Sequence, residues 1–279
     1  MKQVVILGEN GNLSKSLIKK FPNAVVIPKQ QYMSWMGSLD EIKNFFVNLN
    51  FMDETPDVYN CVGVTDPAAS PSVINYVNYS LPVFLSERSD VLNYRLITFG
   101  TVMELLPKYS ASNPYLESKL KFHTRYISDD NWQNRNLHFQ MHTLYGGSRV
   151  HKHMFIGQIF DAINSKKVFH MSGGDQIREY HHVDDDAEAI LQLTKTAGGG
   201  LIDISHGKPE KLKDIATTIF EHFDSRDLLK IATKMADEND NKDMVFKKTA
   251  NLSDSVFRPT IDNLIIWLER LGALDENQR

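Results

Sequence analysis

A short apolar run that ends in a glycine turn constrains this chain more than any other feature. Residues 3–7 read Gln-Val-Val-Ile-Leu, which is typical of a strand buried in a parallel sheet. Gly8 and Gly11 follow and lead into a predicted helix over 15–20, with Ser14 where a third glycine is usual. Strand, glycine turn and helix in this order place backbone N–H groups and a helix N-terminus against a pyrophosphate. The sequence therefore predicts a dinucleotide site at its first turn.

Further apolar strands alternate with helical stretches along the chain. They are predicted at 24–27, 57–63, 94–99 and 137–142. This alternation is typical of an α/β fold with a doubly wound parallel sheet. Ligands of such sheets bind outside the carboxyl ends of the strands, so functional side chains are expected at these ends. The residues at such ends are Gly8, Gly63, Thr101 and Tyr145.

Charge and composition exclude several classes of function. The chain has 31 basic and 35 acidic residues, a net charge of −4, which argues against a nucleic-acid partner or a basic membrane patch. The apolar run at 4–7 is too short for a signal peptide, and no run approaches the ~18 apolar residues of a membrane span. Cys61 is the only cysteine, so an internal disulfide is impossible, which fits a reducing compartment. We therefore expect a cytoplasmic protein without membrane contact.

A tyrosine and a lysine stand four residues apart at the start of another predicted helix. Ser112 or Asn113 can cap this helix, and Pro114 suits its first position. Tyr115 and Lys119 then share one face. An adjacent ammonium lowers the pKa of a tyrosine from its usual ~10, which makes the phenol a useful acid and base near neutral pH. Taken alone, the Tyr-x-x-x-Lys pattern is weak, and a solvated tyrosine and lysine on an ordinary helix are the more frequent source of it.

The end of the second strand bears on cofactor choice. Sites that prefer NAD usually carry an acid there, which holds the ribose 2′-hydroxyl. This chain has Pro28, Lys29 and Gln30 instead. Lys29 would suit a 2′-phosphate, so the sequence favours NADP(H) and leaves NAD(H) possible.

Taken in order, these pieces resemble the extended short-chain dehydrogenases/reductases, the family of nucleotide-sugar epimerases, dehydratases and reductases. The resemblance covers nearly the whole chain. It implies a Rossmann domain over 1–150, with about 176–204 added, and a small C-terminal substrate-binding lobe over 151–175 and 205–279. The matching pieces are the Gly8/Gly11 turn, Asn60-x-x-Gly63, Asn78, Thr101, Tyr115-x-x-x-Lys119, Tyr145-Gly146, and the segments 178–185, 203–216 and 257–268.

The resemblance also implies roles for particular residues. Tyr115 is the expected acid/base, Lys119 holds the nicotinamide ribose and lowers the tyrosine pKa, and Thr101 hydrogen-bonds the reacting oxygen. Thr98 is the alternative hydroxyl. Asn78 is expected to organise the proton relay. The full set of implied cofactor contacts is Gly8, Asn10, Gly11, Asn12, Leu13, Lys29, Cys61, Val62, Gly63, Asn78, Tyr115 and Lys119.

On the substrate side the resemblance implies Thr143, Tyr145 and Arg178. The forked guanidinium of Arg178 would hold a diphosphate, with a surface ion pair to Glu179 as the alternative. The implied partner is a nucleotide sugar, and relatives of this family often form homodimers through the Tyr–Lys helix.

The residues after the threonine narrow the reaction. Dehydratases of this family carry Asp-Glu there, whereas this chain has Val102 and Met103. The sequence therefore predicts an NAD(P)H-dependent reductase of a keto group on a nucleotide-linked sugar, of the 4-keto deoxy class used in surface polysaccharides. The alternatives are a nucleotide-sugar epimerase with tightly bound NAD and, more remotely, a dinucleotide-binding protein without turnover.

Two groups of histidines invite a metal interpretation. His151 and His153 are two apart with no nearby cysteine or carboxylate, a poor ligand set for zinc. His181 and His182 precede the aspartates at 184–186, but the resemblance makes this segment the lead into a helix, with the acids at its positive end. We therefore expect no metal site.

Overall fold

The computed structural model describes residues 2–49, 55–66, 68–106, 113–234 and 246–276. Ser112 and most of a charged stretch that the sequence predicts as an exposed loop or frayed helix, 235–248, lie outside these ranges. The chain forms two compact units: unit 1 comprises Met1–Met141 and Ala187–Ile204, and unit 2 comprises His142–Asp186 and Ser205–Arg279. The sequence analysis grouped 142–150 and 176–186 with the first domain, whereas in the structure they group with unit 2.

Unit 1 is built on one six-stranded parallel sheet. Its strand order is β10-β5-β4-β3-β1-β2, which confirms the predicted doubly wound α/β fold. The central strands are buried on both faces because nearly all of their residues are apolar, as at Val5, Leu7 and Val58. The strands are β1 Val4–Leu7, β2 Val25–Ile27, β3 Asp57–Asn60, β4 Arg95–Thr101, β5 Leu137–Met141 and β10 Gly200–Asp203.

The helices of unit 1 connect these strands. The helix that carries the tyrosine and lysine begins as predicted, because Pro114 takes its first position and the Asn113 side chain accepts the Tyr115 N–H at 3.0 Å. The α-helices are α1 Asn12–Lys20, α2 Lys29–Ser34, α3 Leu39–Asn48, α4 Pro71–Asn75, α5 Leu81–Arg88, α6 Pro114–Ile127 and α7 Asp130–Arg135. A π-turn, Tyr76–Ser80, and a 3-10 helix, Val102–Leu105, complete the set, and helix α9 Val183–Thr196 starts in unit 2 and ends in unit 1.

Unit 2 packs three helices around short strand pairs. The last helix buries Leu264, Ile265 and Leu268 as the sequence spacing predicts, together with Ile219 and Phe220. The helices are α8 Phe155–Asn164, α10 Leu212–His222 and α11 Thr260–Glu276. The strand pairs are β6 Thr143–Tyr145 with β9 Tyr180–His182, β7 Phe169–His170 with β12 Leu229–Lys230, and β8 Ile177–Arg178 with β11 Glu210–Lys211.

Membrane insertion through a helix finds no support in the part of the chain that the structure describes. None of its helices combines the length and apolar character that a membrane span requires.

Candidate active site

The first glycine turn has the backbone geometry that the sequence predicts. Gly8 has φ +93°, and a Cβ there would come 3.1 Å from Val62 Cγ1, so a side chain would be strained and crowded. The Gly8 N–H donates to Ile27 O at 2.9 Å, which holds the turn at the carboxyl edge of the sheet. Ser14 is buried and its Oγ donates to Gly11 O at 2.9 Å, so a serine fills the place of the third glycine.

A carboxylate that the sequence analysis missed lies at this turn. Glu9 Oε2 accepts the backbone N–H of Lys29 at 2.9 Å, and Glu9 Oε1 accepts from Asn10 Nδ2 at 2.8 Å. The carboxylate therefore reaches from the end of β1 to the end of β2. An acid that holds the ribose was expected at the end of β2, and Glu9 places a carboxylate at that position from β1. An acid directly after the first glycine was the signal that could have found it.

Tyr115 and Lys119 lie one turn apart at the start of α6. Lys119 Nζ donates to Phe99 O at 2.7 Å, which ties α6 to the carboxyl end of β4. Ser118 Oγ donates to Tyr115 O at 2.7 Å, and Asn78 Nδ2 donates to Ser118 Oγ at 3.1 Å. The predicted acid/base pair and the predicted relay asparagine are thus linked within unit 1.

Asn78 also anchors the segment after β3. Its Oδ1 accepts the Val64 N–H at 2.9 Å and its Nδ2 donates to Val64 O at 3.0 Å. A small cavity of about 10 Å³ lies alongside, with Asn60, Asn78, Thr98 and Lys119 among its lining. A polar space of this size can hold one water molecule. A relay through Lys119 and Asn78 would need such a water.

The pKa shifts at this pair run opposite to the sequence expectation. Burial raises the pKa of Tyr115, and the Glu104 carboxylate raises it further. Burial lowers the pKa of Lys119, although Glu104 opposes this shift. The sequence expectation differs because a Tyr-x-x-x-Lys pattern contains no information about the burial of the two side chains or about the nearby Glu104 carboxylate. The Tyr115 phenol is therefore protonated at neutral pH and suited to donate a proton.

Both candidate hydroxyls contact the protein. Thr101 Oγ1 accepts the Met103 N–H at 3.3 Å, and Glu104 Oε2 accepts the Thr101 N–H at 3.2 Å, which starts the 3-10 helix. Thr98 is buried, and its Oγ1 lies 2.8 Å from His138 Nδ1. The role of Thr101 toward a reacting oxygen stays a prediction.

A buried cluster of Glu104, His123 and His138, called the Glu104 cluster below, joins three elements of unit 1. Glu104 comes from the 3-10 helix, His123 lies on α6 four residues after Lys119, and His138 lies on β5. Glu104 Oε1 is 3.3 Å from His123 Nδ1 and 3.5 Å from His138 Nε2. Burial alone would raise the pKa of Glu104, but the two rings lower it to about 2. The sequence analysis missed this cluster because its members are far apart along the chain.

In unit 2 the predicted substrate residues occupy different environments. Tyr145 is a core residue whose ring packs edge-on to His182 and against Trp267. Thr143 is half-buried, and its N–H donates to Glu179 O at 3.1 Å. Arg178 is half-buried opposite Glu210 in the β8–β11 pair, and its Nη1 donates to Ile177 O at 2.8 Å. Their substrate roles stay predictions.

A cavity of about 610 Å³ lies in unit 2 and has several basic residues in its lining. Arg258 is fixed there because its Nε donates to Asp185 Oδ2 at 2.8 Å. Burial lowers and Asp185 raises the pKa of Arg258, with a net upward shift. Sequence reasoning recognised Arg258 only as part of a closing segment and missed the other basic residues. The basic lining residues are His206, Lys208, Lys248 and Arg258, beside the acids Glu210 and Asp262.

A second buried cluster of Glu179, His181, Asp186 and His206, called the Glu179 cluster below, lies in unit 2. His181 Nδ1 is 2.8 Å from Asp186 Oδ1, and His181 Nε2 is 3.0 Å from Glu179 Oε2. Burial alone would lower the pKa of His181, but the two carboxylates raise it to about 9. Burial opposes and His181 favours the Glu179 carboxylate, whose pKa falls to about 2. His181 is therefore an imidazolium held between two carboxylates.

Comparisons with known proteins find a curated relative and solved structures of the same fold. No family model matches the sequence. A CDP-abequose synthase from Yersinia pseudotuberculosis is 27% identical over 221 residues, which cover 71% of this chain and 75% of that protein. The Bordetella bronchiseptica enzyme WbmG, solved with NAD, superposes with a TM-score of 0.72 at 13% identity, covering 98% of this chain and 96% of WbmG.

Two further solved structures have the same fold. A UDP-N-acetylglucosamine 4-epimerase from Methanobrevibacter ruminantium, in complex with UDP-N-acetylmuramic acid, gives a TM-score of 0.71 at 15% identity over 100% of this chain and 99% of that one. RMD from Pseudomonas aeruginosa with NADPH gives 0.68 at 15% identity over 97% and 98%.

The chain shares the fold of these enzymes.

All of the expected cofactor residues belong to unit 1. Most of them follow the carboxyl ends of β1, β2 and β3 or lie on α1 and α6, and Asn78 lies in the π-helix Tyr76–Ser80. WbmG is solved with NAD and RMD with NADPH. The cofactor contacts of this chain stay predictions.

Proposed function

We propose that this protein reduces a keto group on a nucleotide-linked sugar with a nicotinamide dinucleotide as hydride donor. The observation that carries the proposal is the position of Tyr115 and Lys119 one turn apart on α6, which Lys119 ties to the carboxyl end of β4 in a parallel sheet that also carries the Gly8 turn. A dinucleotide with its pyrophosphate at the Gly8 turn would supply the hydride from its nicotinamide. Tyr115 then gives its proton to the developing alkoxide, and Lys119 holds the phenol and cofactor in place.

Reduction consumes one proton for each ketone, so the resting tyrosine must be able to donate a proton. Burial and the Glu104 carboxylate both raise the pKa of Tyr115, which keeps the phenol protonated.

The substrate class is supported by the cavity of unit 2. Its basic residues Lys208, Lys248 and Arg258 suit a diphosphate, because ammonium and guanidinium groups make strong charge-assisted bonds to phosphate oxygens. The relative CDP-abequose synthase carries a CDP-linked sugar in its name, so CDP-linked keto deoxy sugars are the first substrates to test. We place Arg178, Thr143 and Tyr145 in supporting roles on this substrate side.

For the cofactor we propose NAD(H) rather than the NADP(H) that the sequence favoured. The expectation of NADP(H) depended on the absence of an acid after β2. Glu9 supplies a carboxylate at that place, where it can accept a ribose 2′-hydroxyl and would repel a 2′-phosphate. Lys29 remains the opposing feature, since its exposed ammonium would attract a phosphate.

A turnover assay tests the proposal directly. Purified protein is mixed with NADH or NADPH and a panel of keto-sugar nucleotides, and cofactor oxidation is followed by absorbance. We expect stoichiometric oxidation with a CDP-linked keto sugar. Tightly retained NAD with no net oxidation would favour the epimerase, and cofactor binding without any product would favour a protein that only binds the dinucleotide.

We further propose a cytoplasmic homodimer, on the family resemblance alone. Sedimentation equilibrium of the purified chain distinguishes a dimer from a monomer.

A further inference from the structure

The Glu104 cluster has three polar atoms that the protein does not satisfy. Glu104 Oε1, His123 Nδ1 and His138 Nε2 lack hydrogen-bond partners among the described residues, although all three side chains are at least nine-tenths buried. Glu104 Oε1 lies 3.3 Å from His123 Nδ1 and 3.5 Å from His138 Nε2, and neither pair meets the geometry of a hydrogen bond. An unmet buried polar atom is costly, so three converging ones point to a missing partner.

Glu104 and His138 are each held so that one ligand atom is left for the shared centre. Glu104 Oε2 already accepts the Thr101 N–H, which leaves Oε1 as the second oxygen. The Thr98 hydroxyl can donate to Leu137 O at 3.3 Å and accept from His138 Nδ1–H at 2.8 Å, which leaves a lone pair on Nε2. Metal-binding histidines characteristically donate their other ring N–H in this way.

The backbone also makes room for the three side chains. A Cβ on Gly100 would lie 2.7 Å from His138 Nε2 and would overlap the Glu104 carboxylate. Glycine in β4 therefore admits the cluster into the space between β4, β5 and α6.

The separations identify the class of ligand. Two ligand atoms bonded at about 2.05 Å lie about 3.3 Å apart around a tetrahedral ion, but about 2.9 Å apart around an octahedral one. The observed 3.3 and 3.5 Å match the tetrahedral arrangement. Two imidazoles and one carboxylate, with one position left open, are a donor set that Zn²⁺ takes in proteins.

We propose that Glu104, His123 and His138 form a binding site for a four-coordinate divalent metal ion of the zinc type. The three ligand atoms lie within 4.8 Å of one another and come from the 3-10 helix, α6 and β5. A metal there ties together the elements that position Tyr115 and Lys119. This departs from the sequence expectation of no metal site.

Metal analysis of the full chain tests the site without any assay of turnover, so failure of the proposed reductase activity does not affect it. The protein is prepared without a polyhistidine tag, both as purified and after refolding in Zn²⁺, and then dialysed. We expect about one zinc per chain. Substitution with Co²⁺ should give the intense visible absorption of four-coordinate cobalt.

Three variants and two controls assign the ligands. Glu104→Gln and His138→Asn should lose stoichiometric zinc. Thr98→Val removes only the hydroxyl behind His138 and keeps a β-branched shape, so it should fold and weaken zinc affinity about 10–100-fold. His206→Asn, in the Glu179 cluster, and His151→Asn should keep one zinc per chain.

The opposite results would overturn the site. They are less than a tenth of an equivalent of zinc after refolding, full zinc retention in Glu104→Gln, or the weak absorption of six-coordinate cobalt. In those cases the cluster is a set of long polar contacts in which Glu104 serves as the counter-ion of Lys119. Thermal unfolding gives an independent reading, since Zn²⁺ at 100 times its Kd should raise Tm by roughly 5 °C.

Discussion

The two buried clusters of this protein use the same residue types but satisfy them differently. In the Glu179 cluster, both ring nitrogens of His181 reach carboxylates, and Ser205 Oγ donates to Glu179 Oε1 at 3.0 Å. In the Glu104 cluster, three atoms converge and none finds a hydrogen-bond partner among the described residues. The His181 ring is closed by a proton between two carboxylates, although Asp186 Oδ2 and His206 Nε2 of the same cluster also lack partners among the described residues. We propose that the Glu104 cluster is closed by a metal ion. Residue type alone therefore does not define a buried polar site; the partners of each atom do.

The clusters also belong to different tasks. The Glu104 cluster shares α6 with Tyr115 and Lys119, the residues proposed to carry the chemistry. The Glu179 cluster includes His206, which lines the cavity of unit 2 proposed to take the nucleotide sugar. Changes in unit 1 should therefore act on catalysis, and changes in unit 2 should act on binding and stability.

The largest expected effect tests this division of tasks. Tyr115→Phe should lower kcat by about 10²–10⁴-fold, because the phenol is the proton donor, with little change in KM or in cofactor affinity. Lys208→Ala should raise KM about tenfold, because it removes a cation from the unit 2 cavity, and leave kcat nearly unchanged. Steady-state kinetics of both variants would contradict the division if Tyr115→Phe retained turnover or if Lys208→Ala lowered kcat alone.

The next effect concerns the closed cluster. Glu179→Gln leaves the His181 imidazolium with one carboxylate fewer in a fully buried site, which should cost about 3–5 kcal/mol of unfolding free energy. Glu221→Gln, on an exposed residue, is the matched control and should change stability by less than about 0.5 kcal/mol. Denaturant unfolding measures both. Equal effects in the two variants would show that the cluster is not held by its ion pairs.

The pH dependence of stability should distinguish the clusters as well. The His181 ring faces the carboxylates of Glu179 and Asp186, and the rings of His142 and His206 pack against it. The pKa of His181 is about 9 in the folded protein and exceeds the unfolded value of ~6.5. The stabilisation is therefore complete below the unfolded pKa and is lost as the pH rises through 9, up to about 3 kcal/mol.

Thermal unfolding between pH 6 and 10 checks this expectation. His181→Gln should abolish the alkaline loss of stability, whereas His222→Gln, on an exposed ring, should keep it. The Glu179 carboxylate affects stability at acid pH. Its pKa is about 2 in the folded protein and ~4.3 in the unfolded chain, so its contribution is lost only as the pH falls from ~4.3 toward 2. An unchanged alkaline slope in His181→Gln would exclude His181 as its source.

Much of this molecule could be predicted from its sequence because the relevant signals are local. Apolar strands, the glycine turn and the Asn113-Pro114 helix start each act over a few residues, and the structure confirms them. The Glu104 cluster could not be predicted, because it depends on the parallel pairing of β4 with β5, which places Thr98 beside His138 although they are far apart in the sequence. The same holds for the raised pKa of Tyr115, which depends on burial and on Glu104.

Glu9 offers the test with the smallest expected effect. Both of its carboxylate oxygens accept hydrogen bonds, one from the Lys29 N–H and one from Asn10. Like Glu179 it is hydrogen-bonded, but its side chain is only half-buried, so loss of the Glu9 charge should barely change the free energy of unfolding. Glu9→Gln removes the charge near the proposed ribose and should improve NADPH binding relative to NADH by about tenfold, or ~1.4 kcal/mol. Lys29→Gln should act in the opposite direction. Titration of both cofactors against both variants checks this pair, and a wild-type preference for NADPH of tenfold or more would return the choice to Lys29.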